Sequence, residues 1–203
     1  MIETDKIRDG YNTIAARYVD ERSPENSVRF LEQFENRLDP GSLILDLGCG
    51  GGVPVDGYLV ERDHKVIGLD ISPAMLDLAR RNVPRAEYKL RDMATLKRGE
   101  YTVDAEVSFF SIIHVDRRLH GDLVRIVRSF LPKGGLMLIT MGNTDWEGEE
   151  EFLGVQMAWS HFGRSANRTL IEEAGFSILL EDTHPEGSPD DDDGHPIFLA
   201  TAV

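Results

Sequence analysis

The chain has 203 residues, 41% hydrophobic and 29% charged, the size and balance of one water-soluble domain. No apolar run reaches the roughly 18 residues of a membrane span, and MIETDKIRDG lacks the apolar core of a signal peptide. Its single cysteine, Cys49, excludes an internal disulfide and suits a reducing, cytoplasmic setting. The net charge is −14, and residues 142–203 carry 14 acidic residues against Arg164 and Arg168, a local net of −12. With no basic face to neutralise phosphates, a nucleic-acid partner is not expected.

Ile7, Tyr11, Ile14, Ala15 and Tyr18 fall at helical spacing, predicting a helix over residues 4–22 that Ser23-Pro24 breaks. A second helix over residues 25–38 puts Val28, Leu31, Phe34 and Leu38 on one face. The pattern then alternates. SLILDLG (42–48) reads as a strand buried on both faces, and a helix over VPVDGYLVERD follows. KVIGLD (65–70) is a second strand, after which Ser72-Pro73 opens another helix as N-cap and first position. Strands are predicted at residues 86–92, 103–113 and 136–142, the last two separated by a helix carrying Leu119, Leu123, Ile126, Val127 and Phe130. Residues 143–163 read as irregular or partly helical, a helix follows at 165–174, and two strands with no helix between them close the chain as an antiparallel hairpin. Its loop holds the acidic run Asp190–Asp193, which has the look of a solvated turn rather than a calcium loop. Strands alternating with helices mean an α/β fold on a parallel sheet.

The loop Gly48-Cys49-Gly50-Gly51-Gly52 follows the first strand and precedes a helix, where α/β sheets bind ligands. Its G-x-G-x-G spacing, with Val53 next, departs from the dinucleotide fingerprint and speaks against NAD or FAD. Asp46 places a carboxylate inside an apolar strand, a costly position unless a cation such as a ligand ammonium pairs with it. Asp70 ends the second strand, 18 residues beyond Gly52, where a carboxylate can accept both ribose hydroxyls.

LILDLGCGGG, VIGLDISPAMLDLAR and KLRDMATL together resemble class I S-adenosylmethionine-dependent methyltransferases of the small-molecule type, related to quinone-biosynthesis enzymes. The likeness covers residues 7–140. It implies a Rossmann-like, doubly wound seven-stranded sheet, mostly parallel with an antiparallel carboxyl-terminal strand and helices on both faces. It further implies S-adenosylmethionine as cofactor: Gly48, Cys49 and Gly50 at its amino-acid portion, Asp46 near the ammonium, Asp70 on the ribose, and Ile71 with Met75 against the adenine. Asp92 would accept from the adenine amino group and Met93 donate its backbone N–H, with Phe109 along the methionine portion and Tyr11 and Tyr18 on an amino-terminal cap.

One domain over residues 1–203 is expected: a helical cap (1–38), a cofactor core (42–141), a substrate-side insert (143–163), and a terminal helix and hairpin (164–203). The insert holds both tryptophans, and Trp146, Met157, Trp159 and Phe162 are its candidate acceptor contacts. Two histidines are candidate bases. His161 lies among the insert's aromatics and stands first; His114 follows the fourth strand, where orienting the Asp116 helix start is an equal alternative. His64, His120, His184 and His195 show no metal-ligand spacing, and no metal is expected. The reading is methyl transfer to O, N or C of a small acceptor by a monomer or homodimer. A protein or nucleic-acid methyltransferase is one alternative; a cofactor-binding protein that does not methylate is another.

Overall fold

Runs expected to be buried on both faces do form the middle of a sheet in the computed structural model, which describes residues 2–21, 25–185 and 194–203. The Ser23-Pro24 break and the Asp190–Asp193 turn lie outside the described residues. In chain order the sheet strands are β1 (Leu43–Leu47), β2 (Lys65–Asp70), β3 (Glu87–Leu90), β4 (Ala105–Ser108) and β5 (Leu136–Thr140). A separate hairpin, β6 (Trp146–Phe152) and β7 (Val155–His161), precedes the last two sheet strands, β8 (Phe176–His184) and β9 (His195–Ala202).

The seven sheet strands stand in the order β3-β2-β1-β4-β5-β9-β8. The first five are parallel, and β9 runs antiparallel between β5 and β8. The order reverses between β1 and β4, so a crevice opens beyond their carboxyl ends.

Helices α2 (Glu25–Glu35) and α3 (Val55–Glu61) cover one face, over Phe30, Phe34, Ile44, Leu59, Val107 and Leu138. On the other face, α5 (His120–Arg128) and α6 (Arg164–Glu173) bury Leu45, Val124, Val127, Met137 and Ile171. Ile44 and Leu45 thus point to opposite layers, as the strand period requires.

Two further helices frame the crevice. Ser72 caps α4 (Pro73–Asn82) by accepting from the Met75 N–H at 3.1 Å. α1 (Thr4–Glu21) docks against that cap: Asn12 Oδ1 accepts from Ser72 Oγ at 2.7 Å and from the Ala74 N–H at 3.2 Å. Ile7 and Ile14 pack on Met157 and Ala158 of β7, so α1 bridges the sheet's ligand edge and the hairpin.

Residues 143–163 correct the irregular or helical expectation. Trp146–Phe152 pairs with Val155–His161 around Leu153-Gly154, whose φ values of +50° and +83° are those of a tight hairpin turn. The strand Trp146–Phe152 carries four glutamates and a glycine, residues depleted in strands, and its pairing partner rather than its propensity makes it extended. The fourth strand also stops early, at Ser108. Phe110 takes a φ of +54° and turns the chain into a short helical turn at Ile112–His114. The second helix ends at Glu35, three residues short of expectation.

Glu106 in β4 is fully buried with neither carboxyl oxygen hydrogen-bonded. Its strand neighbours in register are Leu45 and Met137. Burial pushes its carboxyl well above the ordinary value of 4.5, so the folded protein holds it neutral. The unfolded chain releases that proton above pH 4.5, so folding loses about 1.4 kcal/mol per pH unit from there up to the folded pKa. Glu106→Met removes this linkage. Its melting temperature should exceed that of the parent by several degrees near pH 8, and the gain should shrink as pH falls towards 4.5 in scanning calorimetry.

Candidate functional site

The glycine turn folds back over the end of β2: the Gly48 and Cys49 N–H groups both donate to the Leu69 carbonyl, at 2.8 and 3.0 Å. Gly48 has a φ of +80°, and a Cβ there would stand 2.3 Å from the Ser111 Cβ, so no other residue fits. At Gly50 (φ +54°) a Cβ would instead project into open space, with Tyr18 the nearest neighbour at 4.0 Å. Asp70 fastens this turn. One carboxylate oxygen accepts from the Gly50 N–H at 2.9 Å and the other from the Ser72 N–H at 2.8 Å. Burial raises its pKa while these backbone donors pull it down. The Ile71 N–H adds a third backbone donor, and the four acceptor sites of the carboxylate leave room for a further one.

A first cavity of about 220 Å³ opens here. Ten of the twelve residues expected at a cofactor line it: Gly48, Gly50, Asp70, Ile71, Met75, Asp92, Met93 and Phe109, with Tyr11 and Tyr18 from α1. Asp92 accepts from the Ala94 N–H at 2.8 Å through one oxygen, capping a short turn. A slot walled by bare glycine backbone, with two carboxylates spaced along an apolar floor, fits an adenosyl group whose ribose and amino group donate hydrogen bonds.

Asp46 and Cys49 do not line the cavity. Asp46 shares its side of the sheet with its register partners Gly68 and Val107, and its carboxyl faces that of Asp56 beneath the turn. Burial raises the Asp56 carboxyl, with contacts to Asp46 and Tyr88 opposing. Within the chain, the Asp46 carboxyl thus meets Asp56 rather than the cavity. Cys49 is packed in the same layer, its thiol pushed well up by burial and by the neighbouring carboxylates.

A second, larger cleft of about 660 Å³ adjoins the first, and Tyr11, Tyr18, Phe110 and His114 belong to the walls of both. The hairpin supplies its far side. In the β6–β7 register, Trp146 stands opposite His161, Gly148 opposite Trp159, and Glu150 opposite Met157, so these side chains share one face. Trp146, Glu150, Phe152, Trp159 and His161 line the cleft. Met157 and Phe162 do not. Met157 is fully buried under α1, and Phe162, one residue past the strand, packs on His120 and lies beneath the Arg117 guanidinium.

Four histidines that are scattered in sequence, at 114, 161, 184 and 195, meet in this cleft. Each Nδ1 lies within hydrogen-bond distance of a backbone carbonyl, which only accepts, so each Nδ1 carries the proton. The partners are Ala158 O for His114 (2.8 Å), Thr144 O for His161 (2.7 Å), Pro185 O for His184 (3.0 Å) and Met141 O for His195 (3.0 Å). All four Nε2 atoms are therefore acceptors. The His114 Nε2 accepts from the Tyr11 hydroxyl at 2.8 Å, and burial lowers its pKa to about 4. His114 makes no bond to Asp116, which caps the following turn itself and is held low by Arg118. The His161 side chain packs against Gly142, where a Cβ would come within 2.1 Å of Nδ1, and burial lowers its pKa below 6.5. Among the described residues no group of three or more His, Cys, Asp or Glu is arranged to hold a metal.

Phe110, His184 and His195 escaped the sequence reading. Phe110 stands beside the chosen Phe109, but only its left-handed backbone turns its ring to the junction, within 4.8 Å of His184 and 5.3 Å of His195. The one signal was the position of Phe110 at the end of a central strand.

Comparison with known proteins agrees with this geometry. Residues 44–135 match a family described as a methyltransferase domain. An uncharacterized methyltransferase of Synechocystis is 28% identical over 74% of both chains. Demethylmenaquinone methyltransferase of Symbiobacterium thermophilum is 47% identical over 67 residues, 32% of this chain but 26% of that enzyme. In fold, the chain is similar to Burkholderia thailandensis 1,6-didemethyltoxoflavin-N1-methyltransferase, solved with bound 1,6-didemethyltoxoflavin and S-adenosylhomocysteine. The TM-score is 0.77 at 18% identity, over 98% of this chain and 88% of that one. Over residues 44–135 the chain carries a methyltransferase domain, and its fold is that of the class I S-adenosylmethionine-dependent methyltransferases.

Proposed function

We propose that the protein methylates a small organic acceptor held in the aromatic cleft, with S-adenosylmethionine in the glycine-walled cavity. The observation that carries this reading is the shared wall: Tyr11, Tyr18, Phe110 and His114 border both spaces, so a donor and an acceptor can touch. At about 660 Å³ the cleft has the volume of an ordinary small-molecule site. A small-molecule acceptor agrees with the 1,6-didemethyltoxoflavin bound in the Burkholderia enzyme.

The cofactor, when bound, supplies an electrophilic methyl group on a sulfonium. The chain's own residues then have three tasks. Asp70 accepts a ribose hydroxyl with its remaining lone pair, and Asp92 accepts from the adenine amino group with its second oxygen. Tyr11 and Tyr18 close the cavity from α1 and present aromatic faces to positive charge. His161 is the base: its Nε2 lone pair stands in the acceptor cleft and takes the proton that an O–H or N–H acceptor gives up. His114 is a positioning residue, holding the Tyr11 hydroxyl at the wall between the spaces.

Three measurements test this. S-adenosylhomocysteine at a hundredfold its Kd should raise the melting temperature by about 5–10 °C, and NAD should not. Asp70→Ala should weaken S-adenosylhomocysteine at least tenfold by calorimetry. It should also destabilise the unliganded protein by about 1–3 kcal/mol, because two loop N–H groups lose their acceptor. Unchanged affinity would reduce Asp70 to a loop fastener.

His161→Ala should cut kcat by about 10²–10⁴ while leaving cofactor affinity intact. Because its pKa is lowered from 6.5, His161 is neutral and competent throughout the neutral range. Turnover should therefore stay flat above pH 6.5 and fall only as acid protonates the ring. A profile that still rises between about pH 7 and 8 would assign the proton to another group.

A further inference from the structure

Beside the indole N–H donors of Trp146 and Trp159, the aromatic cleft presents imidazole and carboxylate acceptors. Four imidazoles are locked with Nδ1 on backbone carbonyls; the Nε2 of His114 takes the Tyr11 hydroxyl and that of His184 the Ser27 hydroxyl, while the His161 Nε2 is left as an acceptor. Carboxylates of Glu21, Glu150 and Glu151 stand along the same cleft. No lysine or arginine lines it among the described residues. Of these carboxylates Glu21 is paired with Arg17 at 2.6 Å, whereas Arg117 and Lys6 pair with Glu147 and Glu149, outside the lining.

The apolar part of the wall is aromatic. Trp146 and Trp159 lie 6.2 Å apart at 49°, and Phe152 stands edge-on to Trp159 at 5.9 Å. Such ring faces attract cations and flat π-systems. Away from the Arg17–Glu21 pair, a carboxylate or phosphate would meet Glu150 and Glu151, whereas a group that donates hydrogen bonds finds an acceptor in His161 Nε2.

Resting on the methyltransferase reading above, we infer that the acceptor is a flat nitrogen base, an aryl-bearing amine or N–H heterocycle, neutral or cationic. The cleft excludes acceptors that carry a carboxylate or phosphate. The hairpin decides this choice, because its inner face contributes Trp146, Glu150, Trp159 and His161 together.

The test is calorimetric binding to protein saturated with S-adenosylhomocysteine, using matched pairs of probes. Tryptamine is compared with indolepropanoate, tyramine with hydroxyphenylpropanoate, and aminobenzimidazole with benzimidazole carboxylate. Each nitrogen base should bind at least tenfold more tightly than its carboxylate isostere. Glu150→Lys, a change at the rim of an exposed hairpin, should shrink that ratio at least threefold with S-adenosylhomocysteine affinity unchanged. Equal or tighter binding of the carboxylates overturns the inference, as does a ratio untouched by Glu150→Lys. Binding of none of the six probes to the saturated protein also overturns it, while leaving the methyltransferase reading intact. Failure of S-adenosylhomocysteine to bind at all strikes that earlier reading instead.

Discussion

The Asp70 carboxylate is the tie on which the ligand edge depends. The glycine turn has little of its own to hold it, since a chain of glycines loses the most conformational freedom on folding. Asp70 fixes it from the neighbouring strand by taking the Gly50 N–H on one oxygen and the Ser72 N–H on the other. One side chain thereby joins the β1–α3 turn to the β2–α4 turn across the crevice that the strand order opens. Ser72 passes the constraint on, because its hydroxyl caps α4 and also donates to Asn12 of α1. Turn, helix start and cap helix form a single hydrogen-bonded path, so the position of α1 is set by the same residue that lines the glycine-walled cavity.

From α1 the path continues to the hairpin. Ile7 and Ile14 bury Met157 and Ala158, while Tyr11 reaches His114 and His114 reaches the Ala158 carbonyl. The hairpin pairs with no strand of the main sheet. Its inner face is held by apolar packing on α1 and by these few polar bonds, and the cleft takes its shape from that docking. The sheet thus carries the glycine-walled cavity, and an appended ribbon outside the sheet carries the far side of the larger cleft.

The buried carboxyls show what the arrangement costs. Glu106 lies among Leu45 and Met137 with no partner, and Asp46 with Asp56 makes a like-charged pair under the turn. Burial keeps Glu106 neutral and raises the Asp56 carboxyl to about 6. The pair supports the floor of the glycine turn. For Glu106 the structure offers no compensating contact.

Local rules in the sequence determined the sheet and the cofactor side. Two-sided apolar runs specify central strands because every side chain there is buried, and the glycine spacing, Asp70 and Ser72-Pro73 act within a few residues of where they stand. That is why Gly48, Gly50, Asp70, Ile71 and Met93 could be placed on one cavity from the chain alone. Asp46 could not, because which face of β1 it takes depends on the register with Gly68 and Val107. The acceptor side was legible only as a concentration of aromatics. Trp146–Phe152, rich in glutamate, becomes a strand through Val155–His161, and their register gathers Trp146 with His161 while leaving Phe162 outside. His184 and His195 reach the same cleft from opposite ends of a loop, and the tautomers of all four histidines are set by carbonyls distant from them or created by the turn they sit in. Periodicity and spacing encode what a segment does with its neighbours in sequence; which proton a buried ring carries is decided by the neighbours it meets in space.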